Sequence, residues 1–255
     1  MLPAYGVVVM LFGVTHKIYR EVYPMAEKTN IILVHGAWGD GGHWRNVIPT
    51  LLDRGHNVTA VQIPLTSLDE DVARVRQLAD DQDGPTILVG HSYGGAVITG
   101  AGDSENVKGL VYIAAFAPDE GESLGQLLGE GEEGEGAGGS AIAPDDHGYL
   151  WIDKDKFQWA FAEDVDDEDA RVMAVTQKPI AGAIFETGMT NPAWKNKPVW
   201  YQVSSNDRMI PPSVERMMAK RMNPVKAIEL EASHASLASQ PYKVAELILD
   251  AAESL

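Results

Sequence analysis

The stretch "TILVGHSYGG", Thr86 to Gly95, decides how this chain is read. A short apolar strand runs without a spacer into Gly90-His91-Ser92-Tyr93-Gly94-Gly95. Glycine on both sides of a serine points to a backbone bent too hard to tolerate side chains at the flanking positions. Between a strand and a helix, Gly-x-Ser-x-Gly is the turn that lifts a serine hydroxyl out of the chain as a nucleophile. The helix that follows aims its first N–H groups at charge developing there. On its own the pattern also fits a tight turn with an incidental serine. The apolar strand before it and the small-residue helix after it favour the nucleophile.

Outward from this point the chain alternates. "IILV" (31–34) and "NVTAVQI" (57–63) precede it as strands, with helical spacing over 43–54 and 68–81. "GLVYIAA" (109–115) follows as a strand after a helix over 94–101. Strand–helix–strand alternation predicts an α/β fold with a mostly parallel central sheet and right-handed crossovers. Over 119–195 the rhythm breaks. It resumes with strand 199–204, helix 212–222, strand 226–231 and a last helix over 241–254. The predicted organisation is therefore an extension over 1–24, a core in two parts (25–118 and 196–255), and an acidic, mainly helical cap inserted over 119–195. Within the cap, "GEGEEGEGAGGS" (129–140) has little to bury and reads as a mobile loop. The cap aromatics Trp151, Phe157, Trp159, Phe161 and Phe185 read first as core packing and together as an apolar lid, with Trp159 taken as a substrate contact.

A serine nucleophile needs a base, and the base needs a carboxylate to orient it. In this fold the chain order is serine, acid, histidine. Only His147 and His234 follow Ser92, and His147 lies in the acidic insertion. His234, in "EASHASLASQP", comes straight after the last strand; Asp207, in "SSNDRMIPP", comes after the strand before it. Both belong at the carboxyl edge of the sheet, beside Ser92. The oxyanion of a tetrahedral intermediate needs preplaced N–H donors. Tyr93 supplies one, and the loop "HGAWGDGGHW" (35–44) the other, through Ala37 or, alternatively, Trp38. Trp38 is also the second expected substrate contact. His35 and His43 lack a carboxylate or further histidine to complete a metal site, so no metal is expected.

Composition narrows the class further. The 255 residues carry a net charge of −17 and no cysteine. Between Asp119 and Asp169 stand 17 acidic residues against Lys154 and Lys156 alone. Such a chain is repelled by nucleic acid and by anionic membranes, so neither is an expected partner. Without cysteine there is neither disulfide nor thiolate chemistry, which suits a reducing compartment, and a cytoplasmic protein is expected. The apolar stretch Leu2–Val14 is too short to span a bilayer and lacks a basic segment before it. Residues 1–24 read as an extension ahead of an ordinary start at Met25, with export as the alternative. Oligomeric state is not legible.

The motifs "HGAWGDGGHW", "GHSYGG", "NDRMIPP" and "SHASLASQP" resemble the α/β-hydrolase superfamily over residues 30–255. Within it, the chain resembles bacterial esterases related to plant methyl-ester esterases and hydroxynitrile lyases. The resemblance implies a Ser92–His234–Asp207 triad, a cap over the site, no cofactor, and a small-molecule ester as substrate. Relatives that place an aspartate at the nucleophile turn, the haloalkane dehalogenases and epoxide hydrolases, are argued against by Ser92. A C–C bond hydrolase would share the triad. Hydroxynitrile lyases carry a threonine after the first motif histidine and a lysine after the catalytic one; here those positions are Gly36 and Ala235. A non-catalytic binding protein on the same fold is the reading of a different kind.

Overall fold

A computed structural model describes residues 28–255; the extension expected over 1–24 lies outside the described residues. The first strands are β1 (Asn30–Val34), β2 (Asn57–Val61), β3 (Thr86–Ser92) and β4 (Val107–Ala115). Between them run α1 (Ile48–Asp53), α2 (Leu68–Asp80) and α3 (Tyr93–Ala101). The helix expected over 43–54 is split into a 3-10 turn, Gly41–Trp44, and α1, with Pro49 in the first turn of α1 where no intrahelical N–H is needed.

After Ala115 the chain leaves the sheet for α4 (Leu124–Leu128), β5 (Ile142–Pro144), β6 (Tyr149–Ile152), α5 (Phe157–Phe161), α6 (Asp167–Thr176) and β7 (Ile180–Ala181). It returns as β8 (Val199–Ser204), α7 (Pro212–Met222), β9 (Lys226–Leu230), α8 (Ser236–Ser239) and α9 (Pro241–Glu253). The central sheet has the order β2-β1-β3-β4-β8-β9, every pairing parallel. The insertion also carries an antiparallel sheet, β5-β6-β7, that periodicity did not reveal because its strands are only two to four residues long.

The apolar runs of the central strands follow from burial on both faces. Ile31, Leu33, Ile87, Val89, Val111 and Ile113 pack with Trp44, Leu51 and the α9 side chains Val244, Leu247 and Ile248. The alternate residues Ile32, Val34, Leu88, Leu110 and Tyr112 join a larger cluster that runs through α2, α3 and α7 into the insertion. Each fully buried aliphatic side chain of this kind contributes roughly 1.5–3 kcal/mol. Connections leave β1 toward β2 on one side and β3 toward β4 on the other. That divergence opens a crevice at the carboxyl ends of β1 and β3, the usual ligand position in parallel α/β sheets.

The expectation of a mobile 129–140 loop is corrected by the structure. Glu132 N–H donates to Ser213 Oγ at 3.2 Å, and the Glu135 carboxylate accepts from Ser213 N–H at 3.1 Å and from its hydroxyl. Gly138 is buried and its N–H donates to the Arg208 carbonyl at 2.8 Å. The segment thus docks on the loop that carries Asp207. Low apolar content misled the sequence reading, because backbone groups and carboxylates can dock by hydrogen bonding without apolar side chains to bury. A β-carbon on Gly138 would lie 2.7 Å from the Arg208 carbonyl oxygen and 2.9 Å from Met209 Sδ. Gly138→Ala is therefore expected to destabilise the protein by about 1–3 kcal/mol, read as a lowered midpoint in urea denaturation. A freely moving loop would leave the midpoint unchanged.

Candidate active site

Ser92 closes β3 with φ 54° and ψ −125°, a left-handed conformation that a residue with a β-carbon adopts only under constraint. The constraint is backbone packed on backbone. A β-carbon on Gly94 would sit 2.5 Å from the Val34 carbonyl and 2.8 Å from that of His35, so only glycine lets α3 start against the end of β1. Tyr93 is the first residue of α3, where an N–H has no intrahelical acceptor. Across the crevice the loop after β1 presses in. The missing side chain of Gly36 would have met Ser92 Cβ at 2.6 Å and Oγ at 3.1 Å. Ala37 follows it, buried, and Trp38 holds a positive φ of 58° while its indole N–H donates to the Leu150 carbonyl of β6 at 2.9 Å. The first-strand loop is thereby tied to the insertion.

The acid and the histidine meet as the sequence order requires. His234 Nδ1 and Asp207 Oδ2 are 2.5 Å apart, both side chains wholly buried. Asp207 Oδ1 accepts two further hydrogen bonds, from Met209 N–H at 2.6 Å and Ile210 N–H at 2.9 Å. His234 Nε2 is buried and free of any hydrogen-bond partner. The His234 carbonyl accepts from His91 Nε2–H at 2.8 Å, and the two rings lie 4.8 Å apart. Since His91 directly precedes Ser92, this bond draws the histidine loop over the nucleophile turn. Burial, reinforced by His234, holds His91 well below the ordinary histidine value, which keeps it a neutral donor.

His35 serves the scaffold in this structure, and His43 lies edge-on to Phe161 at 6.0 Å. His35 Nδ1–H donates to the Gly36 carbonyl at 2.9 Å, and its Nε2 accepts from Ile63 N–H at 3.2 Å. Burial lowers both histidines to about 4, so they stay uncharged at neutral pH. Among the described residues no group of three or more His, Cys, Asp or Glu side chains converges as a metal-ligand set. His147 is exposed in a turn anchored by Asp145.

Trp159 stands 40% exposed with the Arg208 guanidinium 5.2 Å from its ring, so its indole faces the outer side of α5. The aromatic that α5 brings to the site is Phe161, edge-on to His234 at 4.8 Å and stacked with Phe157 at 5.1 Å. The signal was the Phe157–Phe161 pair, whose spacing of four puts both rings on one helix face. The same segment is latched to both loops of the dyad. Ala235 N–H donates to the Phe161 carbonyl at 3.1 Å, Ser233 N–H to Asp164 at 3.1 Å, and Arg208 to both the Trp159 carbonyl and Glu163 at 2.8 Å.

Two buried acids escaped the sequence reading. Asp71, on α2, accepts from Tyr93 Oη at 2.6 Å and from Leu65 N–H at 3.0 Å. Glu215, on α7, accepts from Ser204 N–H at 2.9 Å. Each sits on the apolar stripe of its helix, with Leu68, Val75 and Ala79 in one case and Met218, Ala219 and Met222 in the other. A carboxyl at core spacing was the available signal.

The strand, turn and buried dyad stand in a chain whose relatives are hydrolases. The alpha/beta hydrolase family matches residues 31–247, and the chain belongs to that family. It is a hydrolase of the carboxylesterase type. The chain is 38% identical over 113 residues to a carbendazim hydrolyzing esterase of Nocardioides sp.; the match covers 39% of this chain and about half, 47%, of that esterase. A pyrethroid hydrolase of Sphingobium wenxiniae is 29% identical over 252 residues, covering 89% of this chain and 88% of the relative. The crystal structure of a pyrethroid hydrolase from Sphingobium faniae superposes with a TM-score of 0.78 at 27% identity, over 88% of this chain and 97% of that one. Among the described residues no helix is long and apolar enough to cross a membrane.

Tyr93 joins the site to Asp71, and that link has a pH signature. Burial holds the Asp71 carboxyl above its ordinary value, opposed by the Tyr93 hydrogen bond. The folded state therefore keeps the Asp71 proton longer than the unfolded chain does. The stability this lends is full in acid and is lost as pH rises through the folded value. In Tyr93→Phe the folded value rises further and the loss deepens. The variant is expected to be destabilised by about 1–3 kcal/mol at neutral pH, with the gap to the parent widening as pH rises through the raised folded value of the parent. Denaturant titrations across that rise test it, and a gap constant with pH would refute the ionised Asp71 contact.

Proposed function

We propose that the protein is a serine esterase that cleaves an uncharged carboxylic ester through an acyl-enzyme. The observation that carries this reading is the pairing of a positive-φ Ser92 with a buried His234–Asp207 dyad whose Nε2 is left free. With Nδ1–H committed to Asp207, His234 Nε2 carries the lone pair and takes the proton from Ser92 Oγ as Oγ adds to the ester carbonyl carbon. The oxyanion is received by the N–H groups of Tyr93 and Ala37. Collapse breaks the bond to the alkoxide, which leaves with the proton from Nε2. Water, deprotonated by the same nitrogen, then releases the acid and restores Ser92.

Trp38, Phe161 and Phe185 give the site apolar walls, and no lysine or arginine is among the buried residues described. A substrate carboxylate would find no fully buried cation there, whereas an aromatic or aliphatic ester fits. Cyanohydrin cleavage is disfavoured for the same reason. Ala235 is buried and uncharged, so a departing cyanide would lack a counterion. At Gly36, a side chain would crowd Ser92 Cβ and Oγ.

Ser92→Ala and His234→Ala are expected to fold normally and to lose turnover by a factor on the order of 10⁴–10⁶. Asp207→Asn should lose most of it as well. The assay is a panel of p-nitrophenyl esters beside methyl esters of aromatic acids, a pyrethroid and carbendazim, with mandelonitrile as control. A fluorophosphonate probe should label the parent and spare Ser92→Ala. An unlabelled parent would indicate a binding protein, and cyanide release without ester hydrolysis would indicate a lyase.

A further inference from the structure

We propose that Glu215 is a positioning residue of the active site: a neutral carboxylic acid that donates its proton in a hydrogen bond to Asp207, so that the triad acid is a carboxyl pair. The inference rests on the triad reading above. Glu215 is wholly buried on α7 among Val214, Met218, Ala219 and Met222. Its Oε2 accepts from Ser204 N–H, while Oε1 faces no N–H or O–H donor. The polar group left to meet it is the carboxyl of Asp207, held beside it through Ser204, whose N–H donates to Glu215 and whose carbonyl accepts from Asp207 N–H at 3.2 Å.

The charges around the pair decide its protonation. Arg216, next on the same helix, sends its guanidinium to Glu229 at 3.1 and 2.8 Å. Glu135, from the docked glycine-rich segment, is taken by Ser213. Tyr201, from β8, donates its hydroxyl to the Ala115 carbonyl at 2.5 Å. His234 is bound to Oδ2 of Asp207. No cation is thus committed to Glu215, and two carboxylates in contact in a dry site do not both ionise. Asp207 receives three hydrogen bonds from N–H donors, Glu215 one, so the negative charge belongs on Asp207 and the proton on Glu215. Burial and then the Asp207 charge push the Glu215 carboxyl well above the ordinary range, in the same direction. The O–H so retained is a fourth donor to Asp207. It holds Oδ2 on His234 Nδ1 and tempers the basicity of the dyad.

The test compares the parent with Glu215→Gln and Glu215→Met. A glutamine keeps both bonds, its carbonyl for Ser204 and its amide for Asp207. It should stay within about threefold of parental kcat and leave the acidic limb of kcat/KM in place. Methionine removes the donor: kcat should fall about tenfold, and the limb should move to higher pH as Asp207 holds its histidine more strongly. An infrared difference between parent and Glu215→Gln at neutral pH should show the loss of one protonated-carboxyl C=O band. A limb moved to lower pH in Glu215→Gln, or the absence of that band, would mean that Glu215 is ionised and would overturn the proposal. So would a methionine variant with parental kcat and pH profile. The infrared comparison needs no turnover and no methionine variant. The absence of the band therefore overturns this proposal even if the parent hydrolyses no ester or Glu215→Met fails to fold.

Discussion

The close approach of α3 to the end of β1 is the constraint on which the site depends. Two backbones meet there at a distance that excludes even a methyl group at Gly94. That contact forces Ser92 into its left-handed conformation and fixes where the first N–H groups of α3 point. Strain of this kind costs roughly 1–3 kcal/mol. It persists because the surroundings over-determine it: β3 pairs on both edges, with β1 and β4, and the Phe116 N–H donates to the Ser92 carbonyl at 3.1 Å.

Around that turn the molecule buries several titratable groups, and it gives His35, His91 and Asp71 a specific neighbour each. His35 bridges the ends of β1 and β2, His91 holds the His234 carbonyl, and Asp71 holds Tyr93. Left without partners, such groups would each cost on the order of 1–3 kcal/mol or more. Satisfied, they hold the loops at the carboxyl edge in one arrangement. The neutrality that burial imposes on His35, His43 and His91 also leaves His234 as the one histidine of the cluster bonded to a carboxylate.

The insertion takes part in building the site. Its residues from Trp159 to Asp164 grip the acid loop through Arg208 and the histidine loop through Ser233 and Ala235. The glycine-rich segment grips the acid loop from the other side through Ser213 and Arg208. Asp207 and His234 are thus positioned by the inserted segments and the sheet together. A change in these segments, far from Ser92 in sequence, can therefore be felt at the dyad.

The chain by itself determined the parallel core, the glycine-flanked turn at Ser92, and the placing of Asp207 and His234 after the last two strands. All of these are written in local patterns: apolar runs ending in glycine, and polar residues placed directly after strands. Ser92, Asp207 and His234 could be picked out because strand ends converge on one edge of a parallel sheet whatever the details of packing. Other features have no local signature. Glycine-rich residues 129–140 look unanchored until the Asp207 loop is beside them, and β5, β6 and β7 are too short to show a period. Which face of α5 turns inward decides between Trp159 and Phe161, and only the opposing surface makes that choice. Asp71 and Glu215 interrupt apolar stripes in the sequence, but the partners that make their burial tolerable, Tyr93 and Asp207, come from elsewhere in the chain. Burial of a charge is a property of the assembled interior, so its consequences for chemistry appear only once the fold has brought the partners together.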